Sequence, residues 1–212
     1  MQKKKNTLEE IHLFNVDQDS REIFLHSNYE EDDEVSFSLA AKFIKNLHYL
    51  DSLNSRPIII HLQCAVGGDT VYGLSVFDAI KASHSQISML VYGAAASMSS
   101  IILQAADKRV LFPNSHLMIH DGFLGFDGTP KSSEQFIKWS KETHAVILDV
   151  FAEKCIKGPQ FKGKSIAQVK NYINSKLKEL QDWYINANDA VHLGLADAIF
   201  GTEGCPNLEC LK

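Results

Sequence analysis

Residues 87–106 read Ile-Ser-Met-Leu-Val-Tyr-Gly-Ala-Ala-Ala-Ser-Met-Ser-Ser-Ile-Ile-Leu-Gln-Ala-Ala, a run that few folds can accommodate. It opens as a short apolar strand at 87–91. At Tyr92-Gly93 the period changes, and very small residues carry Ser97 into a segment with the pattern of a buried helix. Gly93 permits a sharp turn or a positive φ, and Ala94, Ala95 and Ala96 let neighbouring backbone approach closely. A strand-to-helix turn of this kind can hold a serine hydroxyl at its tip, facing the helix N-terminus. The following backbone N–H is then placed to stabilise an oxyanion. Close helix–sheet packing asks for the same small residues, so Ser97 is a candidate nucleophile that needs support from the rest of the chain.

At 212 residues, with 45% apolar and 22% charged side chains, one large globular domain is expected. A net charge of −5 with both signs interspersed argues against a nucleic-acid or anionic-membrane surface, and Lys3-Lys4-Lys5 is too short to change that. Those lysines lead into Asn-Thr-Leu-Glu-Glu rather than an apolar run, so no secretory signal is read and a cytoplasmic location is expected. Residues 87–106 have the length of a membrane span, but Ser88, Gly93, Ser97 and Gln104 break the apolarity; a buried core segment is expected instead. Cys64, Cys155, Cys205 and Cys210 lack paired C-x-x-C spacing and do not suggest zinc. Cys205 and Cys210 are close enough for a local disulfide, although reduced thiols are the simpler expectation without an export signal.

Residues 1–20 are expected to be a flexible N-terminal tail, 21–200 a single domain, and 201–212 a C-terminal tail. Strand character appears at 22–26, followed by an acidic loop at 28–34. Phe37, Leu39, Ala40, Phe43, Ile44 and Leu47 predict an amphipathic helix over 35–50. The run 58–62 reads as a buried parallel strand. A helix is expected at 70–82, capped by Asp69 or Thr70. A strand at 115–120, a glycine-rich loop at 121–129 and a long helix at 131–154 follow. Further helices are predicted at 166–177 and 188–193, with a short strand at 183–185 between them. Recurrent strand–turn–helix units point to an α/β fold with a largely parallel sheet.

Reactive groups in such folds gather at strand ends. Three breaks fall after a strand: Val66-Gly67-Gly68-Asp69, Gly93 to Ser97, and His120-Asp121-Gly122. A glycine pair can turn bare N–H groups toward a substrate, as an oxyanion hole requires, or can simply form a tight turn. A phosphate loop is a weak alternative: Gly68 and Gly73 have Walker-like spacing, but Leu74-Ser75 stands where Lys-Ser/Thr is needed and there is no G-x-G-x-x-G. Nor is this the G-x-S-x-G elbow, since Gly93 lies four residues before Ser97. His120 closes an apolar strand and is the favoured base, with His116 the runner-up; an imidazole titrates near neutrality and so suits proton transfer. Pattern alone does not choose the orienting carboxylate among Asp182, Asp189 and Asp197.

The constellation resembles the proteolytic subunit of Clp, the caseinolytic serine peptidase. Ala95-Ala-Ser-Met98 is similar to that family's A-A-S-M nucleophile turn, and Phe112-Pro-Asn-Ser-His-Leu-Met-Ile-His120 to its L-P-N-S-x-x-M-I-H segment. Asp182 to Asp197 resembles D-x-x-x-x-A-x-E-A-x-x-x-G-L-x-D. The resemblance implies Ser97 as nucleophile, His120 as general base and acid, Asp182 as the group orienting the imidazole, and the N–H groups of Gly68 and Met98 as oxyanion hole. It further implies a ClpP/crotonase-like α/β fold with a projecting handle helix (handle region about 131–180) and peptide-bond hydrolysis without metal or organic cofactor. Polypeptide substrates, seven-membered homo-oligomeric rings that can stack, and an AAA+ unfoldase that alone uses ATP complete what it implies. No nucleic-acid or membrane partner is expected. Departures from the family pattern are Val66 for a proline, Ser99 for a glycine, and Gln181 for an arginine; the segment before Arg21 is also short, and 155–165 is longer than usual. They leave room for a catalytically silent ring subunit, and the fold itself for a crotonase-type acyl-CoA enzyme.

Overall fold

The computed structural model describes residues 7–26, 34–64 and 67–212. Ile58-Ile59-Ile60 is apolar at every position because its strand is covered on both faces, the signature of parallel pairing. That strand, β3 (Ile58–Cys64), lies between β2 (Glu22–Leu25) and β4 (Ile87–Ala96), parallel to both. β5 (Lys108–Leu111) continues the sheet beyond β4, and the short β8 (Ala198–Ile199) closes it, both parallel. At the other edge β1 (Val16–Asp17) pairs antiparallel with β2. β6 (His116–Ile119) leaves this order to pair with the far end of β4, and β7 (Trp183–Asn186) runs antiparallel to β6.

Alternate residues of the strands face two cores. Ile58, Ile60, Leu62, Met89 and Val91 point into the larger one, where α2 (Phe37–Leu53), α3 (Thr70–Lys81) and α4 (Met98–Leu103) pack. Ile59, Leu90 and Val110 point outward into a smaller cluster. The helices begin where side-chain oxygens can accept orphan amides: Ser36 from Leu39 N, Asp69 from Val71 N and Tyr72 N, and Thr129 from Ser132 N. Ser165 and Gln168 form a reciprocal capping box for α6 (Ile166–Leu180), and Asn186 caps α7 (Ala187–Leu193). The 26-residue α5 (Pro130–Cys155) is about 39 Å long, and its buried residues, Phe151, Ala152 and Cys155, all lie in its last turns. Its N-terminal half projects as the expected handle.

Three expectations are corrected. The N-terminal segment is helical at α1 (Thr7–Phe14), anchored where Asn46 Nδ2 donates to Phe14 O at 2.6 Å. The strand expected to end at Val91 continues through Ala96, because Ala94, Ala95 and Ala96 find ladder partners on β6 and Ala95 a further one on β3. The C-terminal segment is not a tail: Leu211 is buried, and Cys205 and Cys210 are paired as a disulfide rather than reduced. The acidic loop expected at 28–34 lies outside the described residues except for Glu34, as does the Val66 departure. Among the described residues no helix is long and apolar enough to cross a membrane.

Two polar groups, a buried arginine and a partly buried aspartate, tie the helical layer to the sheet. Arg21 is 1% exposed, and its guanidinium donates to Leu50 O, Asn54 O, Arg56 O and Ser85 Oγ, gathering the carbonyls at the end of α2. Asp51 accepts from the backbone N–H of His84 and Ser85 at 2.9 Å each and from Ser85 Oγ at 2.7 Å. Burial by itself would raise its pKa. The amide of His84 and the hydroxyl and amide of Ser85 overcome that and hold the carboxyl well below the usual carboxylate range. A carboxyl depressed in the folded state adds stability that is fully present above its unfolded pKa and fades as the pH falls toward the folded one. Asp51→Asn is therefore expected to cost about 2 kcal/mol in urea denaturation at neutral pH, with the deficit shrinking below about pH 4.

Candidate active site

Strand register assembles the site. β4 and β6 are parallel with Ala96 opposite Met118, so both chains leave the sheet at the same end. Ser97 N donates to Met118 O at 2.8 Å, which fixes the turn after β4 against β6. Ser97 takes φ 52 and ψ −124, a positive φ that a non-glycine residue adopts only under constraint. Its carbonyl is held by Ser100 N at 3.0 Å and Ser100 Oγ at 2.6 Å. His120 follows β6, and its Nε2 lies 2.7 Å from Ser97 Oγ, a direct hydrogen bond. The antiparallel pairing of Ile119 with Trp183 brings the residue before β7, Asp182, across from His120. Asp182 Oδ1 stands 3.5 Å from His120 Nδ1 with its side chain 52% exposed, an ion-pair separation longer than an ordinary hydrogen bond.

The same geometry separates the alternatives. His116 opens β6 opposite Ala94, four residues before His120, and its ring lies 5.8 Å from that of Tyr184. Asp197 is engaged by Arg109 in a two-pronged pair, with Nη2–Oδ1 at 2.6 Å and Nε–Oδ2 at 3.0 Å. Asp189 sits in the first turn of α7 and accepts from Asn186. Of the three carboxylates, Asp182 alone is brought to His120.

The glycine pair closes the other side. At Gly67 (φ +79), an added Cβ would lie 2.5 Å from Ser97 Cβ and 2.9 Å from Met98 N. Gly68 (φ +142) backs onto Val35, with which it forms a parallel bridge. Gly67 is thus the residue whose lack of a side chain lets the loop touch the serine turn. Met98 N belongs to the first residue of α4, where helix geometry leaves amides without intrahelical acceptors. Ser99, one of the departures from the family pattern, turns into the interior; it is fully buried and its Oγ has no hydrogen-bond partner.

A cavity of about 530 Å³ opens over Ser97 and His120. Ile101, Phe136, Trp139, Ile147 and Phe151 give it apolar walls, with Asp69 and Asp121 among its polar residues. Phe123, 93% exposed, presents its ring edge-to-face with His120 at 5.6 Å. Sequence pattern did not single out Phe123; its signal was an aromatic residue in a glycine-rich loop directly after the candidate base. Among the described residues no group of three or more His, Cys, Asp or Glu is placed to hold a metal ion.

Comparison with known proteins gives the family. The Clp protease family model matches residues 5–203. The ATP-dependent Clp protease proteolytic subunit 1 of Chlamydia muridarum is 30% identical over 185 residues, covering 85% of this chain and 86% of that protein. The proteolytic subunit of Deinococcus radiodurans is 28% identical over 169 residues, covering 78% and 76%. A ClpP1 point mutant from Listeria monocytogenes superposes with a TM-score of 0.70 at 24% identity, covering 92% of this chain and 96% of the other, which establishes the fold. The chain belongs to the Clp protease family, a family of serine peptidases.

Because a methyl group at position 67 would press on the serine turn, Gly67→Ala is expected to slow fluorophosphonate labelling of Ser97 by about a hundredfold. Time-resolved intact-mass measurement on the folded variant checks this.

Proposed function

We propose that this chain is a serine endopeptidase, the proteolytic subunit of an ATP-dependent Clp-type protease, cleaving polypeptides inside an oligomeric chamber. The observation that carries the reading is the 2.7 Å contact between Ser97 Oγ and His120 Nε2 at a constrained strand-to-helix turn. His120 accepts the Ser97 proton as Oγ attacks the peptide carbonyl, and returns it to the departing amine. Asp182 holds the Nδ1 side of the ring and balances the imidazolium charge. The N–H groups of Gly68 and Met98 receive the developing oxyanion. Water, activated by the same histidine, then cleaves the acyl-enzyme. The chemistry draws on side chains, backbone amides and water, and needs no cofactor.

The chamber reading rests on family membership, on the names of the relatives, and on a long helix whose exposed half offers surface for neighbouring subunits. Seven-membered rings, their stacking in pairs, and an ATP-driven unfoldase partner follow from the same resemblance. The 3.5 Å gap between His120 and Asp182 favours one second reading, a subunit that is silent in isolation and supports an active paralogue.

Intact-mass analysis after fluorophosphonate treatment distinguishes them. A single adduct on the wild type is expected, with none on Ser97→Ala and a loss of about 10⁴-fold or more in labelling rate for His120→Ala. Asp182→Asn is expected to lose less, since the carboxylate is half exposed and loosely placed. An assembled, folded wild-type protein that takes up no adduct would support the silent subunit, and acyl-CoA turnover that survives Ser97→Ala would point to the crotonase-type enzyme.

A further inference from the structure

The family match ends at residue 203, whereas the chain continues to Lys212. This ending is built into the outer face of the sheet. Cys205 and Leu211 are 0% and 1% exposed and join Ile59, Leu90, Val110 and Ala198 in the smaller apolar cluster. A tight turn, in which Cys205 N donates to Thr202 O at 3.0 Å, leads to a 3-10 turn at Leu208–Leu211 that Asn207 caps. Lys108 Nζ, from β5, donates to Cys210 O at 2.6 Å. The Cys205–Cys210 disulfide joins the first turn to the second and so directs Leu211 toward the sheet.

We propose that Cys205 and Cys210 form a reversible thiol–disulfide site that latches residues 204–212 as a strap over the outer face. The two cysteines differ in exposure: Cys205 is buried, and Cys210 is partly exposed. A thiolate of a small thiol such as glutathione attacks Cys210 Sγ, the S–S bond breaks, and Cys205 leaves as a thiolate that takes up a proton. A second small thiol attacks the mixed disulfide, releasing the Cys210 thiol and the small-molecule disulfide. Two thiols are thus oxidised to one disulfide while the protein disulfide becomes two thiols. Reduced Cys205 has an acceptor in place, since its Sγ lies 3.7 Å from Asn207 O, so either state leaves the buried sulfur satisfied. Cys155 does not compete, because burial pushes its thiol up to about 12 and keeps it protonated. With the latch broken, the Leu211 contact and the Lys108 hydrogen bond remain to hold the strap. Its departure uncovers Ile59, Leu90 and Val110.

Hydrogen exchange with peptide mapping, on the full chain equilibrated in glutathione buffers from oxidised to reduced, tests the latch. A disulfide-linked Cys205–Cys210 peptide is expected in the oxidised buffers. On reduction, exchange over 204–212 should accelerate about tenfold or more, while α3 and α4 are unchanged. Cys210→Ser should show the fast-exchanging strap even under oxidising conditions, and Ser97 labelling should be the same in both states. Three results would overturn the proposal. The linked peptide could be missing at every buffer ratio, the strap could exchange equally fast in both states, or α2 to α4 could loosen along with it, which would make the disulfide a general staple.

Discussion

Strand β4 makes two successive pairings along one edge, and the site exists because of them. Ser88 to Val91 pair with β5, and three residues later Ala94 to Ala96 pair with β6. Gly93, at φ 69, sits at the changeover. The first pairing buries the strand in the main sheet. The second carries its end past that sheet to meet His120. Ala95 and Ala96 are buried, and Ala95 pairs with β3 as well as β6, so this end of the strand belongs to the packed sheet before it becomes the serine turn. The antiparallel return of β7 on β6 then places Asp182 with no further device.

A second layer of constraint keeps the short α4 in place. Its C-cap residue Gln104 accepts from Arg109 Nη1 at 2.7 Å and donates to Ser100 O and Leu195 O. Arg109 in turn donates to Gly194 O and grips Asp197, linking β5, α4 and the end of α7 around one buried guanidinium. A buried charge is tolerable only when its donors are matched, and here Nε, Nη1 and Nη2 each have an acceptor. Six residues of helix would be marginal by themselves; tertiary anchoring at both ends makes α4 rigid. Ser97 stands at the head of that anchored helix, whereas Asp182 lies on a half-exposed turn after α6, where Gln181 takes φ 59, and its contact with His120 is longer than the one between His120 and Ser97.

Much of this was legible because the local signals agree with one another. The helix expected over 131–154 is found at Pro130–Cys155, and that expected over 70–82 at Thr70–Lys81, with Asp69 as its cap. The strand run at 58–62 also held, extending to Cys64. Misreadings fell where local preference is weak. Ala94 to Ala96 have little strand propensity of their own, so their pattern resembled the start of a helix until neighbouring strands supplied hydrogen bonds. Residues 201–212 look polar and turn-rich, yet two widely spaced buried residues, Cys205 and Leu211, are enough to seat them.

The sequence by itself determined the alternation of strands and helices, the caps, the chemical types gathered at strand ends, and the family resemblance, because these rest on short-range periodicity and motif spacing. The resemblance implied His120 and Asp182, but only tertiary structure brings His120 to Ser97 and Asp182 to His120, while His116, at the other end of the same short strand, lies beside Tyr184. Tertiary structure likewise set Asp182 apart from Asp189 and Asp197, which the fold spends on a helix cap and a buried arginine. Gly67 and Phe123 gained their places beside the serine and the histidine in the same way. The physical reason is register: contacts between residues far apart in the chain depend on how strands slide and pair, and no local pattern encodes that choice.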